Sequence, residues 1–284
     1  GNHRAAGRKD ERIAEPPMFS RIDLSGRRII VTGASSGIGW ELAKQLAHEK
    51  SRLVLAGRSQ NKLEELARII REQGGEAHPV PTDVSDSRQR ETLIDTALAR
   101  LGGIDVLINN AGVGAMGFFS DADENRLRRI FEVNFFGTTE LTRLALPHLR
   151  QGETPMVVNV SSILGRRAIP GCTEYCASKF ALAGWSEGLR AELSHQGIHV
   201  LLVCPGRIQT NFQQNLLEDK IRFGWQNHRQ MTAERCAQLI VRAMRRRKNE
   251  LTTTAEGKLL LWLNRLSPRL VDFFLSRYSA KKPS

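Results

Sequence analysis

The sequence predicts an α/β fold built on a doubly wound parallel sheet, and three observations carry that expectation. Short apolar runs rich in β-branched residues alternate with longer helical patterns, as βαβ units require. The runs are apolar on both faces, as strands are when helices cover either side of a sheet. The first run leads straight into a glycine-rich turn that opens a helix.

Taken in chain order, residues 1–18 are polar and charged, end in Pro16-Pro17 and show no hydrophobic period. They read as a disordered extension. It starts with Gly1, by expectation an end left by processing or by cloning, and Met18 stands just before the folded pattern as a candidate natural start. A single domain is expected over 19–256. Ile29-Ile30-Val31 forms its first strand, followed by a helix over 37–49, a strand over 52–56 and a helix over 60–73. The same beat continues with strands over 78–81, 104–109, 156–160 and 199–204. Arg245-Arg246-Arg247-Lys248 ends a helix that begins near Thr232, where cations complement the helix dipole.

The last segment, 257–284, reads as two short amphipathic helices, 258–266 and 268–278, with Ser267 as cap and Pro268 as first residue of the second. On that second helix Leu270, Val271, Phe273, Phe274, Leu275 and Tyr278 share one arc, opposite Arg269, Asp272 and Ser276. Such an arc needs cover. The domain beside the substrate mouth, a second copy of the chain and a bilayer surface all qualify.

Formal charge is +12, yet residues 242–284 alone hold 11 basic and three acidic side chains. Basicity is therefore a property of the C-terminal end, and no motif or aromatic platform accompanies it, so no nucleic-acid partner is expected. Cys172, Cys176, Cys204 and Cys236 form no C-x-x-C, and Gly197 interrupts the His195/His199 spacing, so no metal site is expected. Reduced thiols and the lack of a secretory h-region point to the cytoplasm. No uncharged apolar run approaches the roughly 20 residues that a membrane-spanning helix needs.

Function begins at Thr32-Gly33-Ala34-Ser35-Ser36-Gly37-Ile38-Gly39. Glycines at a strand-to-helix turn let a pyrophosphate approach the amides of a helix N-terminus. The spacing G-x-x-x-G-x-G departs from the commoner dinucleotide fingerprint. It resembles that of the short-chain dehydrogenase/reductase family. Asn109-Asn110-Ala111-Gly112, Asn134, Ser162 with Tyr175 and Lys179, and Pro205-Gly206-Arg207-Ile208-Gln209-Thr210 agree with the family in order and spacing, across roughly 25–255.

The resemblance implies a single-domain Rossmann fold and a nicotinamide dinucleotide held by Gly33, Ser35, Ser36, Gly37, Ile38, Gly39, Asp83, Val84, Asn110, Ala111, Gly112, Pro205, Gly206, Ile208 and Thr210. Tyr175 and Lys179 are implied to contact it as well. At the end of the second strand Gly57 fills the place where an NAD site usually carries an acid, and Arg58 follows. A cation without a neighbouring carboxylate suits a 2′-phosphate, so NADP(H) is favoured. Ser36 is neutral where some NADP-dependent relatives carry a second base, which leaves NAD(H) open. Asp83 is read as an adenine contact, and Asp86 is the better N-cap for the next helix.

Tyr175 and Lys179 lie four apart on a helix and share a face. A phenol with a pKa of about 10 is a poor catalyst at neutral pH, but an ammonium and a cationic nicotinamide both favour the phenolate. Tyr175 is the expected proton donor and acceptor at the substrate oxygen. Ser162 would steady the charge that develops there, its neighbour Ser161 being the competitor that the family spacing disfavours. Asn134 resembles the residue that bends its helix and positions a water beside the lysine.

The expected function is that of an NADP(H)-dependent oxidoreductase that passes hydride between nicotinamide and a ketone or secondary alcohol. Residues 114–119, Ile163-Leu164, Ile169 and 211–230 are mostly apolar and suggest a hydrophobic, lipid-, steroid- or acyl-like substrate. Arg166-Arg167 reads as a solvated loop pair or as a grip on an anionic handle. A non-catalytic NADP(H)-binding sensor or scaffold of the same fold is the alternative. A homodimer or homotetramer is implied by the resemblance, and membrane-surface association through 257–284 is carried beside it.

Overall fold

In the computed structural model, which describes residues 21–210, 212, 215–220 and 230–279, the apolar runs pair into one seven-stranded sheet. The extension expected over 1–18 lies outside the described residues, as do Asn211, residues 213–214 and 221–229. The strands are β1 (Arg28–Thr32), β2 (Arg52–Gly57), β3 (Glu76–Pro81), β4 (Val106–Asn109), β5 (Gly114–Met116), β6 (Met156–Val160) and β7 (His199–Cys204). After them come β8 (Ile208–Gln209), β9 (Leu216–Asp219), β10 (Met231–Thr232) and β11 (Glu250–Thr252). The main sheet runs β3-β2-β1-β4-β6-β7-β11, and every pairing in it is parallel.

Successive strand residues feed two cores, as the period of two requires. Ile29, Val31, Leu53 and Leu55 pack on α1 (Gly37–His48), α2 (Gln60–Glu72) and α7 (Ala233–Arg245). Ile30, Val54, Leu107 and Val157 face the other way, onto α3 (Ser87–Leu101), α5 (Gly137–Leu149) and α6 (Thr173–Ser194). The strand order reverses between β1 and β4, and a crevice opens beyond the carboxyl ends of strands at such a point.

Caps set the helix starts. Asp86 accepts from Gln89 N–H at the head of α3, and Thr232 accepts from Arg235 N–H at the head of α7. Thr254 accepts from Gly257 N–H, so α8 (Ala255–Leu266) begins before the segment change expected at 256/257. Ser267 accepts from Leu270 N–H ahead of α9 (Pro268–Ser279). Edge strand β11 and the small pairs β5/β9 and β8/β10 carry no periodic signal of their own and exist through long-range pairing.

The apolar arc of α9 divides. Val271 is buried and Leu275 reaches the crevice, while Leu270, Phe273 and Phe274 face outward together with Leu259, Trp262 and Leu266 of α8. The side chain of Tyr278 lies outside the described residues. Arg166 and Arg167 are neither a solvated pair nor open to a ligand, because carboxylates converge on both. Arg166 pairs with Glu187 and Glu250, and Arg167 binds Asp272 of α9 and Asn264 of α8. Among the described residues, no helix is long and apolar enough to cross a membrane, and no cluster of three or more His, Cys, Asp or Glu side chains could hold a metal.

Candidate active site

A cavity of about 780 Å³ occupies the crevice. Its floor is the glycine-rich turn. Gly33 holds φ +64°, and a Cβ on Gly39 would lie 2.3 Å from the Gly33 carbonyl oxygen, so the start of α1 packs on the turn with no room for a side chain. Thr32 Oγ donates to Ile108 O and accepts from the Asn110 and Ala111 N–H groups. Asn110 Nδ2 donates to the Thr32 and Gly33 carbonyls, so this side chain braces the turn while Ala111 and Gly112 form wall.

Ser36 heads α1 without capping it, and the first turn holds no acid. The amide ends and the positive end of the helix dipole therefore remain available beside Ser36, Gly37 and Ile38, which line the cavity. A Cβ on Gly57 would come within 3.2 Å of Ser35 Oγ, so an acidic side chain would crowd Ser35 at that place. Exposed Arg58 stands at the rim, its Nη2 donating to Asn215 Oδ1 at 3.1 Å. Asp83 and Val84 line the same end, and Asp83 Oδ1 accepts from Ser85 N–H and Oγ–H. Arg58, Lys179 and Arg207 outnumber the lining carboxylates of Asp83 and Glu256.

At the other end α6 presents Tyr175 and Lys179 on one face, with Lys179 Nζ 5.8 Å from the phenol ring centroid. Lys179 is buried, donates to Val160 O at 3.0 Å, and burial pushes its ammonium down to about 8. Burial pushes the Tyr175 phenol above its ordinary value, and a hydrogen bond with Ser162 only partly offsets it. Desolvation of a phenolate thus opposes the lowering expected from Lys179 and a bound cationic nicotinamide. Ser162 Oγ accepts from Leu164 N–H, whereas Ser161 Oγ is taken up in donating to Lys179 O.

Asn134 is fully buried inside a π-helical turn, Glu132–Phe136, between α4 (Glu124–Phe131) and α5. Such single turns bend helices and recur at functional sites. Its Oδ1 accepts from Val113 N–H, and its Nδ2 donates to Val113 O and Ser178 Oγ. A Cβ on Gly112 would stand 3.3 Å from Asn134 Oδ1 and 3.5 Å from Lys179 Nζ, so the bare glycine keeps these two groups neighbours.

Pro205, Gly206, Ile208 and Thr210 complete the wall beside Tyr175. Of the expected site residues, Gly39 and Asn134 support the wall without lining it. Of 114–119, only Gly114, Ala115 and Met116 face the cavity. Phe118 packs on Cys172 and Cys176, and Phe119 is exposed. Ile163, Leu164, Ile169, Phe212 and Leu216 line the substrate end. Thr254, Glu256, Gly257 and Leu260 close it and were not expected there, together with Leu275 of the arc for which the substrate mouth was one of three expected covers. The first four have one sequence signal, Gly257, where a Cβ would strike Ile163 Cδ1 at 2.6 Å.

The glycine cradle, the uncapped helix end and the cationic lining fit a nicotinamide dinucleotide. Comparisons with known proteins agree. The short chain dehydrogenase family model matches residues 27–221. The chain is 36% identical over 249 residues to dehydrogenase/reductase SDR family member 7 of Homo sapiens, covering 84% of this chain and 73% of that one. It is 32% identical over 256 residues to ketoacyl reductase HetN of Nostoc sp., covering 88% of each. It superposes with TM-score 0.80 and 28% identity on a short chain dehydrogenase/reductase of Burkholderia phymatum in complex with NAD, over 88% of this chain and 96% of that one. A Burkholderia cenocepacia short chain dehydrogenase in complex with NADP gives TM-score 0.77 at 26% identity, over 89% and 99%. The chain belongs to the short-chain dehydrogenase/reductase family, as an oxidoreductase acting on CH–OH and C=O groups with a nicotinamide cofactor.

Proposed function

We propose that the chain is an NADP(H)-dependent reductase of hydrophobic ketones, or dehydrogenase of the corresponding secondary alcohols. One observation carries this reading: Tyr175, Ser162 and Lys179 converge at the end of the cavity that is otherwise walled by Met116, Leu164, Ile169, Leu216 and Leu260. When bound, the nicotinamide supplies or accepts the hydride. Tyr175 Oη gives a proton to the substrate oxygen during reduction and takes it back during oxidation. Ser162 Oγ donates to the same oxygen as its negative charge grows. Lys179 supports the phenolate from below and holds ribose hydroxyls. Asn134 keeps its π-helical turn beside Lys179 and orders the relay that resupplies the Tyr175 proton from solvent after reduction and releases it to solvent after oxidation.

Gly33, Ser35, Ser36, Gly37 and Ile38 would hold the pyrophosphate, Asp83 and Val84 the adenine, and Ile208 and Thr210 the nicotinamide. Arg58, with Gly57 leaving its neighbourhood free of a carboxylate, would take the 2′-phosphate. The test is a carbonyl and alcohol panel read by NADPH consumption. Tyr175→Phe is expected to abolish turnover while NADPH still binds; undiminished turnover would refute the mechanism. Cofactor binding with no turnover of any panel member would instead make the protein a sensor or scaffold.

The outward apolar strip of α8 and α9 supports a second reading. Lys258, Arg265, Arg269 and Arg277 flank Leu259, Trp262, Leu266, Phe273 and Phe274, and Arg277 lies over the Phe273 ring at 4.2 Å. Apolar side chains ringed by cations suit the surface of an anionic bilayer. Four buried thiols support a reducing, cytoplasmic setting. Assembly as a homodimer or homotetramer is carried over from the family resemblance.

A further inference from the structure

On the substrate side of the cavity lies a buried cation that the chemistry above does not use. Arg126 of α4 is only 3% exposed, and three separate parts of the chain meet at its guanidinium. Nε lies 3.0 Å from Glu174 Oε1, which also accepts from Nη2. Nη1 lies 2.7 Å from Glu218 Oε2, and Nη2 donates to Phe118 O at 3.2 Å. Glu174 is itself 3% exposed and sits in the first turn of α6, directly before Tyr175. Glu218 belongs to β9, and Phe118 follows β5.

β5 and β9 form a short parallel pair that stands apart from the main sheet. Lys220 N–H donates to Met116 O at 2.7 Å, and Gly117 N–H donates to Gly171 O at 3.0 Å. Met116 and Leu216 of this pair line the substrate end of the cavity. Two such short strands are marginal without outside support. Arginine's planar fork reaches carboxylates on two elements at once in a fixed geometry that a lysine's rotatable ammonium does not impose. A Cβ on Gly117 would lie 2.7 Å from Arg126 Nη1 and 3.1 Å from Glu218 Oε2, so the glycine makes room for the clamp.

We propose that Arg126 is a positioning residue: by binding Glu174 and Glu218 together it pins the β5/β9 flap to the head of the Tyr175 helix and sets the substrate wall against the tyrosine. This rests on the carbonyl-reductase reading above. The clamp acts on the substrate end and leaves the dinucleotide end alone, since its partners lie on α6, β9 and the loop after β5.

Arg126→Met would leave Glu174 buried without a partner and risks unfolding, so the test uses Glu218→Gln, which keeps the Arg126–Glu174 pair. Hydrogen exchange of the Gly117 and Lys220 amides, NADPH binding and steady-state kinetics on the best panel substrate are measured for both proteins. The expected result is exchange at least several-fold faster at those two amides, a several-fold higher KM with a smaller change in kcat, and unchanged NADPH affinity. Unchanged exchange or unchanged KM overturns the proposal, and so does an equal loss of NADPH affinity with faster exchange throughout the main sheet, which marks a merely structural role. Exchange needs no substrate, so a wild-type protein that turns over nothing would count against the reductase reading, while the two amides still decide whether the clamp exists.

Discussion

On the function proposed above, Gly57 and Arg58 carry the choice between two cofactors that differ by one phosphate. A Cβ on Gly57 would lie against Ser35, where an acid would crowd the loop, and Arg58 reaches the rim with its guanidinium donating to the neutral amide of Asn215. A charge-assisted contact of this kind contributes about 1.5–3 kcal/mol. Arg58→Ala is therefore expected to weaken NADPH binding by roughly ten- to a hundredfold while NADH affinity barely moves, as measured by titration with each. Equal losses would remove the 2′-phosphate argument. At this scale the sequence was informative wherever function is written in local spacing. Tyr175, Lys179 and Ser162 share one end of the cavity because a helical turn and a strand end put them there. It was uninformative where a side chain's partner is distant. Arg126 and its two carboxylates are 48 and 92 residues apart, and no pattern in α4 separates it from its surface neighbours. The Tyr175 phenol likewise depends on burial, which only packing determines.

Among the elements, the six strands expected from apolar runs are all present: five are runs buried on both faces, and the half-buried edge strand β3 follows from its place in the strand–helix alternation. Edge strand β11 carries no such signal, since its three residues are held by pairing with β7. That edge also carries a pH dependence. His199 opens β7, its ring bonded to Lys248 O at 3.0 Å, and burial pushes its imidazole down from 6.5 to about 4. The folded protein keeps the ring neutral where the unfolded chain takes up a proton, so stability is complete above 6.5 and falls as pH drops through the window toward 4. His199→Gln cannot titrate, and its urea midpoint should fall less steeply between pH 7 and 4 than that of the wild type. Identical slopes would show that His199 contributes nothing to acid sensitivity. Helices α8 and α9 were legible as amphipathic stretches, with the substrate mouth one of three covers the sequence left open. Arg167 decides for the mouth at Leu260 and Leu275, by holding Asn264 and Asp272 so that both point inward.

For the molecule as a whole, the formal charge of +12 is concentrated at one end, beside the apolar strip that α8 and α9 leave uncovered. Flotation with anionic liposomes should recover the protein, with recovery falling in high salt, on neutral lipid and in the Trp262→Ser/Phe274→Ser variant. Failure to float on anionic lipid would assign the strip to another partner. The amino-acid sequence alone determined the α/β class, the strand-to-helix turn that suits a dinucleotide and the register of Tyr175 with Lys179, since each is a short-range period or spacing. Tertiary structure decided which side chains form the substrate wall, what Arg126, Arg166 and Arg167 bind, and which half of the C-terminal arc stays exposed. Those outcomes depend on contacts between residues far apart in the chain, where burial and charge pairing act only after the sheet has brought them together.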